Sequence, residues 1–131
     1  MKKLALTSFL ILFLVTGTLS AQDLSVETIE IGTAVENRSI VGADSTFAPN
    51  VENLFCFTKV TGAQDTTEIY HVWFYKDEEK ARTPLTIKSK DWRTWSSKTI
   101  LDSWTGAWRV AVEDQNGNIL AEKSFMVSEE N

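Results

Sequence analysis

A single cysteine and a single histidine occur in the 131 residues of this chain, and each scarcity removes a class of function. Cys56 has no second cysteine to meet, so no intramolecular disulfide forms. Its setting, Leu54-Phe55-Cys56-Phe57, is apolar and strand-like, which marks a buried, inert thiol. An intermolecular disulfide or a metal ligand is the lesser alternative. His71 stands without a compact cluster of acids around it, so neither a metal site nor a cofactor is expected. There is no Gly-x-Ser-x-Gly elbow to present a nucleophilic serine, which argues against a hydrolase. Positive charge is also in deficit, 13 lysines and arginines against 18 acids, for a formal net charge of −5. Nucleic acid and anionic membrane surfaces are drawn mainly by cationic patches, so neither is an expected partner.

Long apolar runs are missing too. The longest, residues 4–15, falls short of the ~20 residues that a membrane span requires. Preceded by Lys2 and Lys3 and followed by Thr16-Gly17-Thr18-Leu19-Ser20-Ala21, it reads as a signal peptide over residues 1–21. A cut after Ser20 is nearly as good as one after Ala21, and an uncleaved N-terminal anchor is the alternative. No cysteine follows closely enough for a lipid anchor. The expected product is exported to the periplasm or the medium and has no membrane span once the signal is removed. It keeps residues 22–131, 110 of the 131, as one domain, and the loss of two lysines takes the charge from −5 to −7. That length is enough to bury a real core.

What remains is patterned for strands. Residues 26–35, 51–60, 68–75, 81–88, 92–97, 107–113 and 119–127 each alternate or run apolar over strand-like lengths, and no stretch has helical periodicity. In the third, Ile69, His71, Trp73 and Tyr75 share one face while Tyr70, Val72 and Phe74 share the other. Pro84 suits an edge strand, and Asn116-Gly117 a tight hairpin. Residues 37–50 read as a long loop in which Phe47 is an inward anchor. Seven short strands with polar turns predict an all-β, antiparallel, immunoglobulin-like β-sandwich, with a small β-barrel as the alternative.

A family resemblance is carried by several segments in order: Val35-Glu36-Asn37-Arg38, Phe47, Leu54-Phe55-Cys56-Phe57-Thr58, His71-Val72-Trp73, Trp92-Arg93-Thr94-Trp95-Ser96-Ser97-Lys98, Gly106-Ala107-Trp108-Arg109-Val110 and Phe125-Met126-Val127. Together they resemble the bacterial domain of unknown function 2914 family, over nearly the whole of residues 26–127. The resemblance implies an exported β domain and assigns no activity, ligand or catalytic residue. The family often has a proline soon after the arginine of the first strand, where this chain has Ser39-Ile40.

Five residues are candidates for binding: His71, Arg93, Ser96, Lys98 and Trp104. Alternation puts Trp92, Thr94, Ser96 and Lys98 on one face of their strand and Arg93, Trp95 and Ser97 on the other. Arg93 and Lys98 would hold negative charge, Ser96 and His71 would orient polar groups, and Trp104, in a turn-like segment, would offer a flat surface. The competing reading makes His71 a hydrogen-bonded core residue, the tryptophans core filling, and the cations wet or paired with Asp91, Asp102 or Glu113. The functional expectation is a non-catalytic binding module of the bacterial envelope, with a protein, a glycan or an anionic envelope component as partner. A purely structural accessory domain is the second reading. A hydrolase using Ser96 or Ser97 with His71 is the third, and it requires the serine within ~3 Å of the imidazole.

Overall fold

Strand alternation is realised along almost all of the chain that the computed structural model describes, residues 23–129; the signal-peptide reading of residues 1–21 lies outside them. The strands are β1 (Ser25–Gly32), β2 (Ala34–Glu36), β3 (Ser39–Val41), β4 (Thr46–Phe47), β5 (Asn53–Thr61), β6 (Thr67–Tyr75), β7 (Glu78–Ile87), β8 (Asp91–Thr99), β9 (Gly106–Glu113) and β10 (Ile119–Val127). The seven expected strands are β1 and β5 to β10. The expected loop over residues 37–50 instead contains short pairings. Asn37 and Arg38, both at positive φ, make a two-residue turn that folds β2 onto β3. Phe47 is buried as anticipated and closes a short parallel pairing with Val127. Pairings of two or three residues are too brief to leave a periodic signal, which is why the loop reading missed them.

Two sheets face one another. One has the order β1-β5-β8, the other β4-β10-β9-β6-β7, and β2-β3 forms a separate ribbon against the first. The chain crosses between the sheets from β4 to β5, from β5 to β6, from β7 to β8 and from β8 to β9, and β4 lies parallel to β10 while the long strands pair antiparallel. This is an immunoglobulin-like antiparallel sandwich. Neither sheet closes on itself, so the barrel alternative falls. Pro84 sits on β7, an edge strand as its missing N–H requires.

The interior holds two apolar clusters. Ile31, Leu54, Cys56, Trp73, Trp108, Val110 and Phe125 pack at one end; Val60, Ala63, Ile69, Ile87 and Val112 pack at the other. Trp108 stacks on Phe125, which meets Trp73 edge-on, so packed rings and no disulfide hold the two sheets together at this end. Burial drives the Cys56 thiol pKa well above its ordinary value, which leaves it protonated and unreactive. The outer face of the five-stranded sheet explains why both faces of β6 are apolar. Val72 and Ala111 are fully buried there. Arg82 lies over the Tyr70 ring and is bound to Glu79 and Glu113, while Arg109 lies 3.9 Å above the Phe74 ring and is bound to Asp77 and Glu122. Two guanidinium lids thus cover apolar residues that alternation alone would leave wet.

Candidate functional site

The five candidate residues fall in three separate places. His71 and Ser96 are inside the sandwich, between the two apolar clusters. β6 contributes His71, fully buried, and β8 contributes Ser96, 5% exposed. Ser96 Oγ lies 2.7 Å from His71 Nδ1, Trp73 Nε1–H donates to the same Oγ at 3.1 Å, Thr58 Oγ1 lies 3.2 Å from His71 Nε2, and Thr58 donates to the Thr94 carbonyl at 3.1 Å. Each hydroxyl has one proton to give. Thr58 spends its proton on Thr94, so Nε2–H must donate to Thr58, which leaves Nδ1 as an acceptor for the Ser96 hydroxyl. One directed chain results: Trp73 to Ser96 to His71 to Thr58 to Thr94. Among the described residues no buried side-chain polar atom is left without a partner.

This chain also keeps His71 neutral. Burial pushes its pKa down to about 3, because there is no water to solvate an imidazolium and no carboxylate in the network to compensate it. Ser96 meets the distance that a serine–histidine pair requires, yet it and the imidazole are sealed between the sheets. The second ring nitrogen faces a threonine where a triad would place an acid. Ser97, one residue on, points to the opposite face and is exposed.

Arg93 is on the solvent face of the three-stranded sheet. It shares that face with Trp95, which is 36% exposed and stacked on Phe57 of β5 with centroids 6.2 Å apart and planes 15° from parallel. Register places Lys59 opposite Arg93. Beside the stack lies an open cavity of about 360 Å³, lined by Arg93, Phe57, Lys59, Glu27, Glu30 and, from the β2–β3 ribbon, Arg38. Lys59 is bound to Glu27 and Asp91. Arg93 and Arg38 have no ion-pair partner among the described residues. Alternation anticipated the Arg93–Trp95–Ser97 row. Phe57, Lys59 and Arg38 joined it only through cross-strand register and the ribbon, and nothing local in the sequence links them.

Lys98 and Trp104 form the third place, at the side of the sandwich where β7 and β8 are the edges. Trp104 is half-buried in the loop after β8. Its backbone N–H donates to the Leu101 carbonyl, and its own carbonyl receives the Trp108 Nε1–H at 3.0 Å. Its ring stacks on Tyr75, whose hydroxyl donates to the Thr105 carbonyl at 2.6 Å. Lys98 Nζ lies 5.2 Å from the indole centroid and Lys80 Nζ 5.3 Å. Among the described residues no three His, Cys, Asp or Glu side chains gather as a metal site would need.

The family model "Protein of unknown function (DUF2914)" matches residues 66–127, which bears out the family resemblance over that span. The matched part covers β6 to β10, including His71-Val72-Trp73 and the Trp92–Lys98 row. No curated protein matches the chain. Among solved structures, β-glucosidase 3B from Thermotoga neapolitana in complex with glycerol is similar at 17% identity and a TM-score of 0.35, over 78% of this chain. The chain spans 16% of that structure's length, and at such a score nothing about its function follows.

Proposed function

We propose, from a chain that carries the DUF2914 pattern over β6 to β10, a non-catalytic exported module that binds a carboxylate-bearing glycan of the bacterial envelope on the solvent face of its three-stranded sheet. The observation that carries this reading is the Trp95 indole, exposed on the solvent face, backed by the buried Phe57 ring and flanked by Arg93, a guanidinium with no carboxylate of its own. A flat indole held in place by a ring beneath it suits the apolar face of a sugar. A planar fork beside it suits a carboxylate, which it can grip through two parallel N–H donors. Arg38, held on the adjacent ribbon, would offer a second fork across the cavity. The burial of Ser96 and His71 supports binding over hydrolysis, since a substrate has no route to them. The envelope destination rests on the signal-like residues 1–21.

The test is calorimetric titration of the domain with acidic peptidoglycan fragments and, in parallel, with their neutral amidated counterparts. Arg93→Ala should weaken binding of the acidic fragments by at least about tenfold, roughly 1.4 kcal/mol, with the melting temperature little changed. Trp95→Ala should weaken both ligand sets. Because the indole is only 36% exposed and covers Phe57, the same substitution should also lower stability by about 2 kcal/mol, so binding is compared at a temperature where the variant stays folded. Equal binding of wild type and both variants would defeat this reading and leave the structural-domain alternative. Retention of an envelope protein in place of the glycans, lost in Arg93→Ala, would shift the partner to a protein.

A further inference from the structure

We infer that Lys98, Lys80 and Trp104 form a second site, a receptor for a phosphate-type oxyanion at the open side of the sandwich, separate from the outer-face platform. Three observations converge on it. The two ammoniums come from different sheets, Lys98 from β8 and Lys80 from β7, and both reach the same indole. Lys80 is brought there by an irregularity in pairing: Ala81 faces Trp73 and Glu79 faces Phe74, so Lys80 is the extra residue of a β-bulge. A bulge re-aims a side chain that regular alternation would send elsewhere. The ring that gathers the lysines is itself fixed by stacking on Tyr75 and by the hydrogen bonds of its backbone and of its neighbours Tyr75 and Trp108.

Charge at the site is unbalanced. Lys80 is bound to Glu78 at 2.6 Å, whereas Lys98 has no carboxylate partner among the described residues. Lys98 is also half-buried, so water screens it incompletely. Two like charges held on one ring repel, and a single carboxylate offsets only one of them. Lys76, 5.3 Å over the Tyr75 ring that stacks on Trp104, adds a third ammonium nearby, so the positive charge stands out in a chain of formal charge −5. A dianionic oxyanion with several acceptor oxygens accepts from two ammoniums at once, and a neutral sugar has no charge with which to relieve them. Lysine donors rotate freely, so a tetrahedral anion suits them better than the planar group an arginine fork selects.

The experiment follows the Trp104 indole N–H by nuclear magnetic resonance during titration with inorganic phosphate, at constant ionic strength maintained with chloride. A saturable shift confined to Trp104 and the Lys98 and Lys80 neighbourhood is expected. Lys98→Gln should weaken it by about tenfold, and Lys80→Gln should do the same should Lys98→Gln fail to fold. Glu78→Gln, which removes the competing carboxylate, should strengthen it several-fold. An unmoved Trp73 indole signal, whose N–H is bound to Ser96 in the interior, will show that each variant keeps its core. A shift that never saturates, that is equal in Lys98→Gln and wild type, or that centres on Trp95 would overturn the inference. Because Arg93→Ala leaves this site intact, its failure and that of the glycan platform are separable.

Discussion

At the scale of single residues, Ser96 shows how a side chain chosen for its chemistry turns out to serve an interior. It accepts from Trp73 and donates to His71, so truncating it strands an indole N–H and an imidazole nitrogen in a dry space. Ser96→Ala should therefore cost about 2–3 kcal/mol in urea denaturation, while Ser97→Ala, one residue along and exposed, should stay within about 0.5 kcal/mol. A result in which the two variants are equal would mean the directed hydrogen-bond chain contributes nothing. Thr58, the partner on the other side of the imidazole, was missed in the sequence although a signal existed. Leu54, Cys56, Thr58 and Val60 share the inner face of β5, and a lone threonine in such a row calls for a polar neighbour.

At the scale of elements, the seven long strands were legible because alternation over eight to ten residues is a strong signal. Their turns were legible as well. Between β9 and β10, Asp114 accepts from the backbone N–H groups of Asn116 and Asn118, and Gly117 sits at φ +83°, a region that costs an L side chain energy. A methyl group there meets nothing within 4 Å, so Gly117→Ala isolates the backbone term and should lower stability by about 1 kcal/mol. Thermal unfolding of the two proteins checks it; an unchanged midpoint would show the hairpin tip relaxing at no cost. The bulge at Lys80 and the ribbon of β2 and β3 were not legible. A bulge is defined by what lies opposite, and a three-residue strand has no period to read.

At the scale of the whole molecule, the sealed histidine couples folding to pH. The folded pKa of His71, about 3, lies below the value near 6.5 of an unfolded imidazole, so the unfolded chain binds the proton first. Stability is then complete above pH ~6.5 and drains away as pH falls from there towards 3. Between pH 8 and pH 5 the loss should be about 2 kcal/mol, measurable by urea titration before most carboxylates begin to protonate. Thr58 and Ser96 bond to the ring nitrogens, the Thr94 carbonyl and Trp73 bond to those hydroxyls in turn, and none is an acid that could rescue the imidazolium. A flat profile over that window would mean that water reaches the imidazole.

Composition and alternation alone determined that this chain is all-β, that Trp73 and Trp108 lie inside, and that Arg93 and Lys98 face opposite ways on one strand. These are local properties, set by the two-residue repeat of a strand and by the aversion of large rings to water. Only the tertiary structure decided the rest: the stacking of two sheets made His71 meet Ser96 and Thr58 in the interior and Lys80 join Lys98 on Trp104, and register within the three-stranded sheet brought Phe57 under Trp95. Each of those meetings joins residues from different strands. Register, crossover and bulge bring them together, and none of these leaves a mark in the order of the residues themselves.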